Sequence, residues 1–272
     1  MLEAGMKKIK TILIKEWMEV FKNKMVIFTV AFLPLMMVTI PLAMLYSTRG
    51  SASALTAGQT AGQLPDAISQ QICPSGLTGS ECFQVYMVSQ FMMLFMLIPV
   101  AIPGVIAAYS IVGEKTTRSL EPLLATPITT IELLVGKCLA AVIPAIITTY
   151  GAYAIFSVGA SILVSNKTLL SAFFEPRWLI AILVVGPLLA ILATTFALMV
   201  SSRVNDPRVA EQISMVIIIP VLVGFFGQVS GLFVLNTQLI SIVAFVMLAL
   251  DILMIYLASR VFDRESILTR WR

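Results

Sequence analysis

Apolar residues in this chain run in six long stretches, separated by shorter polar segments. An α-helix needs about 20 consecutive apolar residues to cross the hydrocarbon core of a bilayer. Because only helices and closed barrels satisfy their backbone groups in lipid, stretches of this length predict an all-α integral membrane protein. We expect one transmembrane domain over residues 1–272. Its six predicted spans are residues 25–46, 84–112, 138–164, 178–200, 212–234 and 239–259.

Composition supports a membrane protein and removes several kinds of chemistry. The chain is 59% hydrophobic and only 12% charged, whereas soluble domains carry about 25% charged residues. It has no His and only three Cys, so we expect no His-dependent site and no four-Cys zinc site. We predict no metal, no cofactor and, since the basic residues are spread over separate loops, no nucleic-acid partner.

Residues 7–24 have the pattern of an amphipathic helix. Ile9, Leu13, Trp17 and Val20 recur at helical spacing. Such a basic helix with a Trp suits the membrane interface, although it also fits an ordinary polar helix that leads into the first span. The charged residues are expected on its other faces: Lys7, Lys8, Lys10, Lys15, Glu16, Glu19 and Lys22.

Two spans contain residues that disturb helices. Pro99 and Pro103 predict a kink in the second span, which would redirect the chain into the next loop or would only accommodate packing. Gly224 and Gly227 lie in the outer half of the fifth span. This part is expected either to break into half-helices that dip into the membrane and return, or to form one irregular helix with close packing.

The distribution of Lys and Arg predicts the orientation. Fifteen of the 18 basic residues fall in the N-terminus, in the loops 113–137 and 201–211, and in the C-terminal tail. Basic residues concentrate on the cytoplasmic side of membrane proteins. We therefore expect a multi-pass protein of the cell membrane with both termini and these two loops in the cytoplasm.

The loop 47–83 is then extracellular. It contains Cys73 and Cys82, separated by Pro74, Gly76 and Gly79. An oxidising compartment would permit a Cys73–Cys82 disulfide. The alternative is two free thiols.

Asp251 is the one charge inside a predicted span. A charged residue at a span centre costs about 2.5–3.5 kcal/mol, but the twelve Leu, Ile, Val and Phe residues of this span together return roughly 4–7 kcal/mol. The span therefore still inserts. Asp251 is a candidate proton or cation site, or a residue that reaches interfacial water or pairs with a donor on a neighbouring span. The sequence indicates no second buried ionisable group in any span.

The loop 113–137 contains two helix-start signals. Thr126-Pro127 offers a cap followed by proline at the first helical position. Thr129 and Glu132 have the spacing of a capping box. A helix is thus expected to begin near residues 126–130 and to continue through Lys137 into the third span.

The first half of the same loop predicts a short amphipathic helix. Leu120, Leu123 and Leu124 form its apolar edge, which could be buried in a partner's groove or could rest on the membrane. The polar rim of the element would consist of Glu114, Lys115, Arg118 and Glu121.

This loop resembles a segment of the permeases of type-2 ATP-binding-cassette (ABC) exporters, including the sodium and drug exporter branch. The matching residues, in chain order, are Glu114, Ser119-Leu120-Glu121, Leu123-Leu124, Thr126-Pro127-Ile128, Glu132-Leu133-Leu134 and Gly136-Lys137. The rest of the chain resembles the family in its basic amphipathic start, six spans and Gly-rich fifth-span exit. Two features depart from the family pattern: Arg118-Ser119 replaces the usual Gly-Thr, and Pro122 lies within the helix.

The resemblance implies a function and a set of partners. The segment would be the coupling helix that docks on an ATPase subunit. The residues implied in docking are Glu114, Arg118, Leu120, Glu121, Leu123, Leu124, Thr126, Pro127 and Glu132. Two ATPase subunits, a second permease protomer (identical or different) and the lipid bilayer are the implied partners, and a path between protomers would carry the cargo.

No phosphate-binding loop is present in the sequence, because Gly136-Lys137 is followed by Cys138. We therefore expect ATP hydrolysis in a separate subunit and no enzymatic activity in this chain. A six-span secondary carrier or channel that uses Asp251 is the alternative. A membrane-embedded enzyme is disfavoured by the lack of His and of a buried carboxylate pair.

Overall fold

The computed structural model describes residues 2–22, 24–48, 79–116, 128–164, 166–232 and 235–261. Every regular element within these ranges is helical. A π-helical segment, Ala181–Val185, and a 3₁₀ segment, Met215–Ile217, each connect two successive α-helices. The α-helices in chain order are α1 Leu2–Val20, α2 Lys24–Thr48, α3 Gly79–Phe95, α4 Ile98–Thr116, α5 Thr130–Leu163, α6 Lys167–Phe173, α7 Pro176–Ile180, α8 Gly186–Arg203, α9 Pro207–Ser214, α10 Ile218–Val229 and α11 Thr237–Val261.

Six helical stretches of the described chain are long and apolar enough to cross a membrane. They are Val26–Ser47, Glu81–Ala108, Ile131–Leu163, Lys167–Arg203, Pro207–Val229 and Thr237–Arg260. The prediction of an all-α integral membrane protein with six spans is confirmed. We call the end of the bundle where α4 ends and α5 begins the loop end, because it borders the predicted docking loop.

Helix α4 lies at the centre of the bundle, where it packs against α5 and α8. Ala107 and Ala108 of α4 and Ala193 and Ala197 of α8 are almost fully buried. Small residues let membrane helices approach closely. The hydroxyl of Ser201 in α8 donates a hydrogen bond of 3.0 Å to the carbonyl of Ala108. The second span is therefore the element around which the others are arranged.

The second span is interrupted ahead of Pro99. Helix α3 ends at Phe95 and α4 begins at Ile98. Proline has no N–H to donate to the carbonyl four residues earlier, here that of Phe95, so the helical ladder cannot continue through this point. Pro103 lies inside α4 without ending it. The sequence predicted a kink at Pro99 and Pro103, and the structure has a helix break ahead of Pro99 with no break at Pro103.

Two predicted loops are partly helical, so those predictions were wrong. In the loop 201–211, α9 begins already at Pro207, and the Asp206 carboxylate accepts a 2.8 Å hydrogen bond from the N–H of Arg208. In the segment 165–177, α6 is capped by Asn166. Asp206-Pro207 is a cap followed by proline, which is a helix-start signal.

The glycines of the fifth span do not break it into half-helices. Helix α10 continues through Gly224 and Gly227 to Val229. A Cβ on Gly224 would meet Cε of Met93 at 2.5 Å, so this glycine permits close packing on α3. After α10 the chain turns at Gly231, whose φ of 71° favours glycine. Of the two predicted forms, the single irregular helix is the one found.

Candidate functional site at the loop end

Helix α5 begins with the capping box that the sequence predicts. The N–H of Glu132 donates to the Thr129 hydroxyl at 3.2 Å, and the N–H of Thr129 donates to the Glu132 carboxylate at 2.8 Å. Two backbone N–H groups that lack helical partners are thereby satisfied. The capping box fixes where the loop ends and the third span starts. Helix α5 spans 34 residues, or about 51 Å at 1.5 Å per residue, so it is longer than the roughly 30 Å hydrocarbon core.

Helix α1 packs beside the first turns of α5 and runs in the same direction. Lys8 lies 3.6 Å from the Glu132 carboxylate. Further along, the indole N–H of Trp17 donates to the carbonyl of Ala140 at 2.9 Å. Between these contacts a Cβ on Gly136 would meet Cγ2 of Ile12 at 2.9 Å. One face of α1 is thus covered by protein.

The buried stripe of α1 differs from the predicted apolar face. Ile12, Glu16 and Val20 are almost fully buried. They are spaced four residues apart, so they lie in one row along the helix. Ile9 and Leu13 are only partly buried. The prediction that Glu16 lies on a polar outer face was therefore wrong.

Glu16 belongs to a closed network with Lys137 and Ser110, which we call the buried triad. The Lys137 ammonium lies 2.7 Å from Oε1 of Glu16 and 2.8 Å from the Ser110 hydroxyl. The Ser110 hydroxyl in turn donates to Oε2 of Glu16 at 2.7 Å. Both charged side chains are 2–3% exposed. Each carboxylate oxygen of Glu16 therefore has a donor, and Ser110 both accepts and donates.

The triad joins three helices at the base of the loop. Glu16 is on α1, Ser110 is in the last turns of α4 before the loop, and Lys137 is on α5 after it. An isolated buried charge is costly, whereas a paired and hydrogen-bonded one is tolerated. The three helices are consequently held in one arrangement. We predicted no such network from the sequence, because Lys137 counts among the basic residues of the loop 113–137 and Glu16 among the charged residues of the segment 7–24.

A signal for the triad was present in the helical pattern. Lys137 lies on the same stripe of α5 as the buried residues Leu133, Leu134, Ala140 and Ala141. Because an unpaired buried charge is costly, a charge within an apolar stripe on one helix predicts an opposite charge within an apolar stripe on another helix. Glu16, between Ile12 and Val20, is that charge.

The remaining residues that are predicted to dock on an ATPase all precede α5 in the chain. The structure describes the backbone of Glu114 in α4. The other predicted docking residues ahead of α5 lie outside the described residues: Arg118, Leu120, Glu121, Leu123, Leu124, Thr126 and Pro127. Cys73 also lies outside them, while Cys82 is buried in α3, so the Cys73–Cys82 disulfide stays a prediction.

Asp251 is a buried charge of a different kind. It lies on α11, a helix that packs against α8, is 3% exposed, and has no hydrogen-bond donor to either carboxylate oxygen among the described residues. The predicted alternative of pairing with a donor on a neighbouring span is not seen in the described chain.

A further buried charge, Arg177, lies in α7 within the fourth span. Its guanidinium is 2.7 Å from the Glu175 carboxylate, donates to the carbonyl of Leu235 at 3.1 Å and lies over the ring of Trp178. It ties the segment before α11 to α7.

The fold and this site define a polytopic helical membrane protein whose spans are joined to a charged N-terminal helix at one end. Residues 10–258 match the model of a family described as ABC-2 family transporter protein. Since the match covers most of the chain, the chain belongs to that family, and it is a membrane transport component. No curated protein matches the chain significantly.

Proposed function

We propose that this chain is the permease subunit of an ATP-driven ABC exporter of the sodium or drug exporter type. The loop 113–137 would dock on a separate ATPase subunit, and residues 1–272 would act as a single transmembrane domain. ATP-driven closure of two ATPase subunits would push on the two loops of a permease dimer. That movement would open a path for cargo between the protomers.

The observation that carries this proposal is the anchoring of both ends of the loop. Ser110 lies just before it and Lys137 is its last residue, and both belong to the buried triad. A loop that only connected two spans would need no buried ion pair at its base. A loop that receives a force needs a rigid base from which the force passes to the spans.

The proposal also places the protein in the cell membrane with both termini in the cytoplasm. The excess of basic residues in the N-terminus, the docking loop and the C-terminal tail supports this orientation. Cytoplasmic ATPase subunits could then reach the loop 113–137.

The direct test is whether the chain binds an ATPase through the predicted apolar edge. We would co-express the chain with each candidate ABC ATPase of the same genome and purify the complex through a tag on the permease. Leu123→Asp and Leu124→Asp are expected to abolish co-purification, because a charge cannot enter an apolar groove without a partner. Leu123→Met and Leu124→Met, which retain an apolar edge, are the matched controls. Unchanged complex formation in the Asp variants would exclude this docking mode.

A second candidate function rests on Asp251. Neither carboxylate oxygen of the buried Asp251 has a donor in the described chain. Such a carboxylate is a candidate binding site for a proton or a cation, as in carriers that use an ion gradient. In this case the purified chain alone would move cargo in response to an ion gradient, and Asp251→Asn would abolish that movement. Transport that requires the ATPase and survives Asp251→Asn would exclude the carrier function.

A further inference from the structure

We infer that the buried triad is a positioning device that fixes the register of α1 against α5 and holds both ends of the loop to the same base. This inference deepens the proposed function, because it states how a push on the loop would reach the spans. Glu16, Lys137 and Ser110 are positioning residues in this scheme, since they act through the loop and contact no cargo or nucleotide.

The bonds of the triad are directional, unlike the apolar contacts around them. Lys137 reaches Glu16 at 2.7 Å and Ser110 at 2.8 Å, and the Ser110–Glu16 bond closes the ring. Apolar side chains tolerate a shift of one helix along another if the volume stays filled. A buried ion pair does not, because a shift would leave a charge unpaired in a dry environment. Fixing register is the best-attested use of buried polar groups.

The arrangement of the surrounding contacts supports this role. The Lys8–Glu132 pair and the Trp17–Ala140 hydrogen bond lie on either side of the triad along the α1–α5 interface. Lys8 is 36% exposed and its partner Glu132 is 19% exposed, so water and salt weaken that pair. The triad is thus the part of the interface that resists a shift of α1 along α5. Because α1 is held to α5 in this way, a push on the loop 113–137 would act on α1 and α5 together.

The test measures the α1–α5 register directly. Spin labels would be placed at two exposed positions, Met18→Cys on α1 and Ile131→Cys on α5, in the full chain with Cys73, Cys82 and Cys138 replaced by Ser. Distances between the labels would be measured in lipid nanodiscs. The parent chain is expected to give one narrow distance distribution.

Two variants change the triad without leaving an unpaired charge. Glu16→Leu combined with Lys137→Met replaces the ion pair by apolar residues of similar volume, which buried sites usually accept. It should remain folded but lose the single narrow distribution. Glu16→Lys combined with Lys137→Glu exchanges the partners and should keep the single narrow distance distribution. Lys8→Met, which removes the exposed pair between the same helices, is the control and should also keep the single narrow distance distribution. A narrow distribution in the folded Leu/Met variant would overturn the inference.

A second arm separates this inference from the proposed function. In complex with the ATPase, the Met18–Ile131 distance is expected to stay the same with no nucleotide and with ADP–vanadate trapped, because the base moves as one body. A nucleotide-dependent change in that distance would overturn the inference even if the ATPase binds. If no ATPase binds the parent chain, the proposed function fails, while the distances in the chain alone still decide whether the triad fixes the register.

Discussion

Two buried carboxylates on different helices of this protein differ in their hydrogen-bonding partners. Glu16 has a donor for each oxygen, one the ammonium of Lys137 and the other the hydroxyl of Ser110. Asp251 is equally buried, but neither of its oxygens has a hydrogen-bond donor among the described residues. The two sites differ in pairing and not in burial.

This difference indicates different roles. Once a buried charge is paired, breaking the pair is costly, so the Glu16 site is suited to holding helices in place. An unpaired buried carboxylate destabilises the fold and is retained only where something else favours it, such as a ligand or a proton. This contrast is the basis for proposing a structural role for the buried triad and, under the alternative carrier function, a binding role for Asp251.

The largest expected effect comes from removing one partner of the pair. Lys137→Met leaves Glu16 as an uncompensated buried charge and should lower the free energy of unfolding by about 3–5 kcal/mol. Lys8→Met is the matched control at the exposed pair and should cost at most about 1 kcal/mol. Denaturant titration in mixed micelles measures both. Equal losses in the two variants would mean that the triad is no stronger than a surface pair.

The opposite sign is expected at the unpaired site. Asp251→Leu removes a buried group without a donor and should raise the free energy of unfolding by about 1–3 kcal/mol. Ile252→Leu, at the 63% exposed neighbouring position, is the control and should change little. The same micelle titration applies. A loss of stability in Asp251→Leu would show that Asp251 does have a favourable partner. The contrast between Asp251 and Glu16 would then no longer hold.

The close approach of α1 and α5 can be tested at Gly136. Gly136→Ala places a Cβ 2.9 Å from Ile12, and such overpacking should cost about 1–3 kcal/mol. Gly151→Ala on the same helix meets nothing within 4 Å and should be neutral or stabilising by up to about 1 kcal/mol. If both variants behave alike in unfolding experiments, the α1–α5 interface is looser than described.

The smallest effect is expected at the start of α5. Thr129→Ala removes the capping hydroxyl and should cost about 0.5–2 kcal/mol. Thr129→Ser keeps a hydroxyl and should restore most of the stability. Amide hydrogen exchange over residues 130–134 measures the local opening of this turn. Protection that is unchanged in the Ala variant would mean that the capping box does not hold the helix start.

Much of the fold was predictable because the governing signals are local. Span length follows from apolar runs, the helix break follows from Pro99, and the capping box follows from the spacing of Thr129 and Glu132. Those signals can be found within one stretch of sequence. They also identified Asp251, since a lone charge in an apolar run is visible without any partner.

The buried triad could not be found in the same way. Glu16 and Lys137 are 121 positions apart, and the apolar stripe around each one indicates burial without indicating which opposite charge it meets. Their pairing depends on which face of α1 meets which face of α5. That choice is made by tertiary packing, here by Ile12 against Gly136 and by Trp17 against the carbonyl of Ala140.

The central claim is that the loop 113–137 transmits force from a separate ATPase to the spans. It is tested most directly by cross-linking from the apolar edge of the loop. Leu124→Cys, in a chain without its three native Cys, would be labelled at its thiol with a maleimide–benzophenone reagent and irradiated in the presence of the co-expressed ATPase, so that the benzophenone inserts into a C–H bond of whatever protein touches the loop. We predict a covalent permease–ATPase product that disappears when the cysteine is placed at the 63% exposed Ile147 in the third span. A complex that transports cargo at the normal rate without forming this product would contradict the claim.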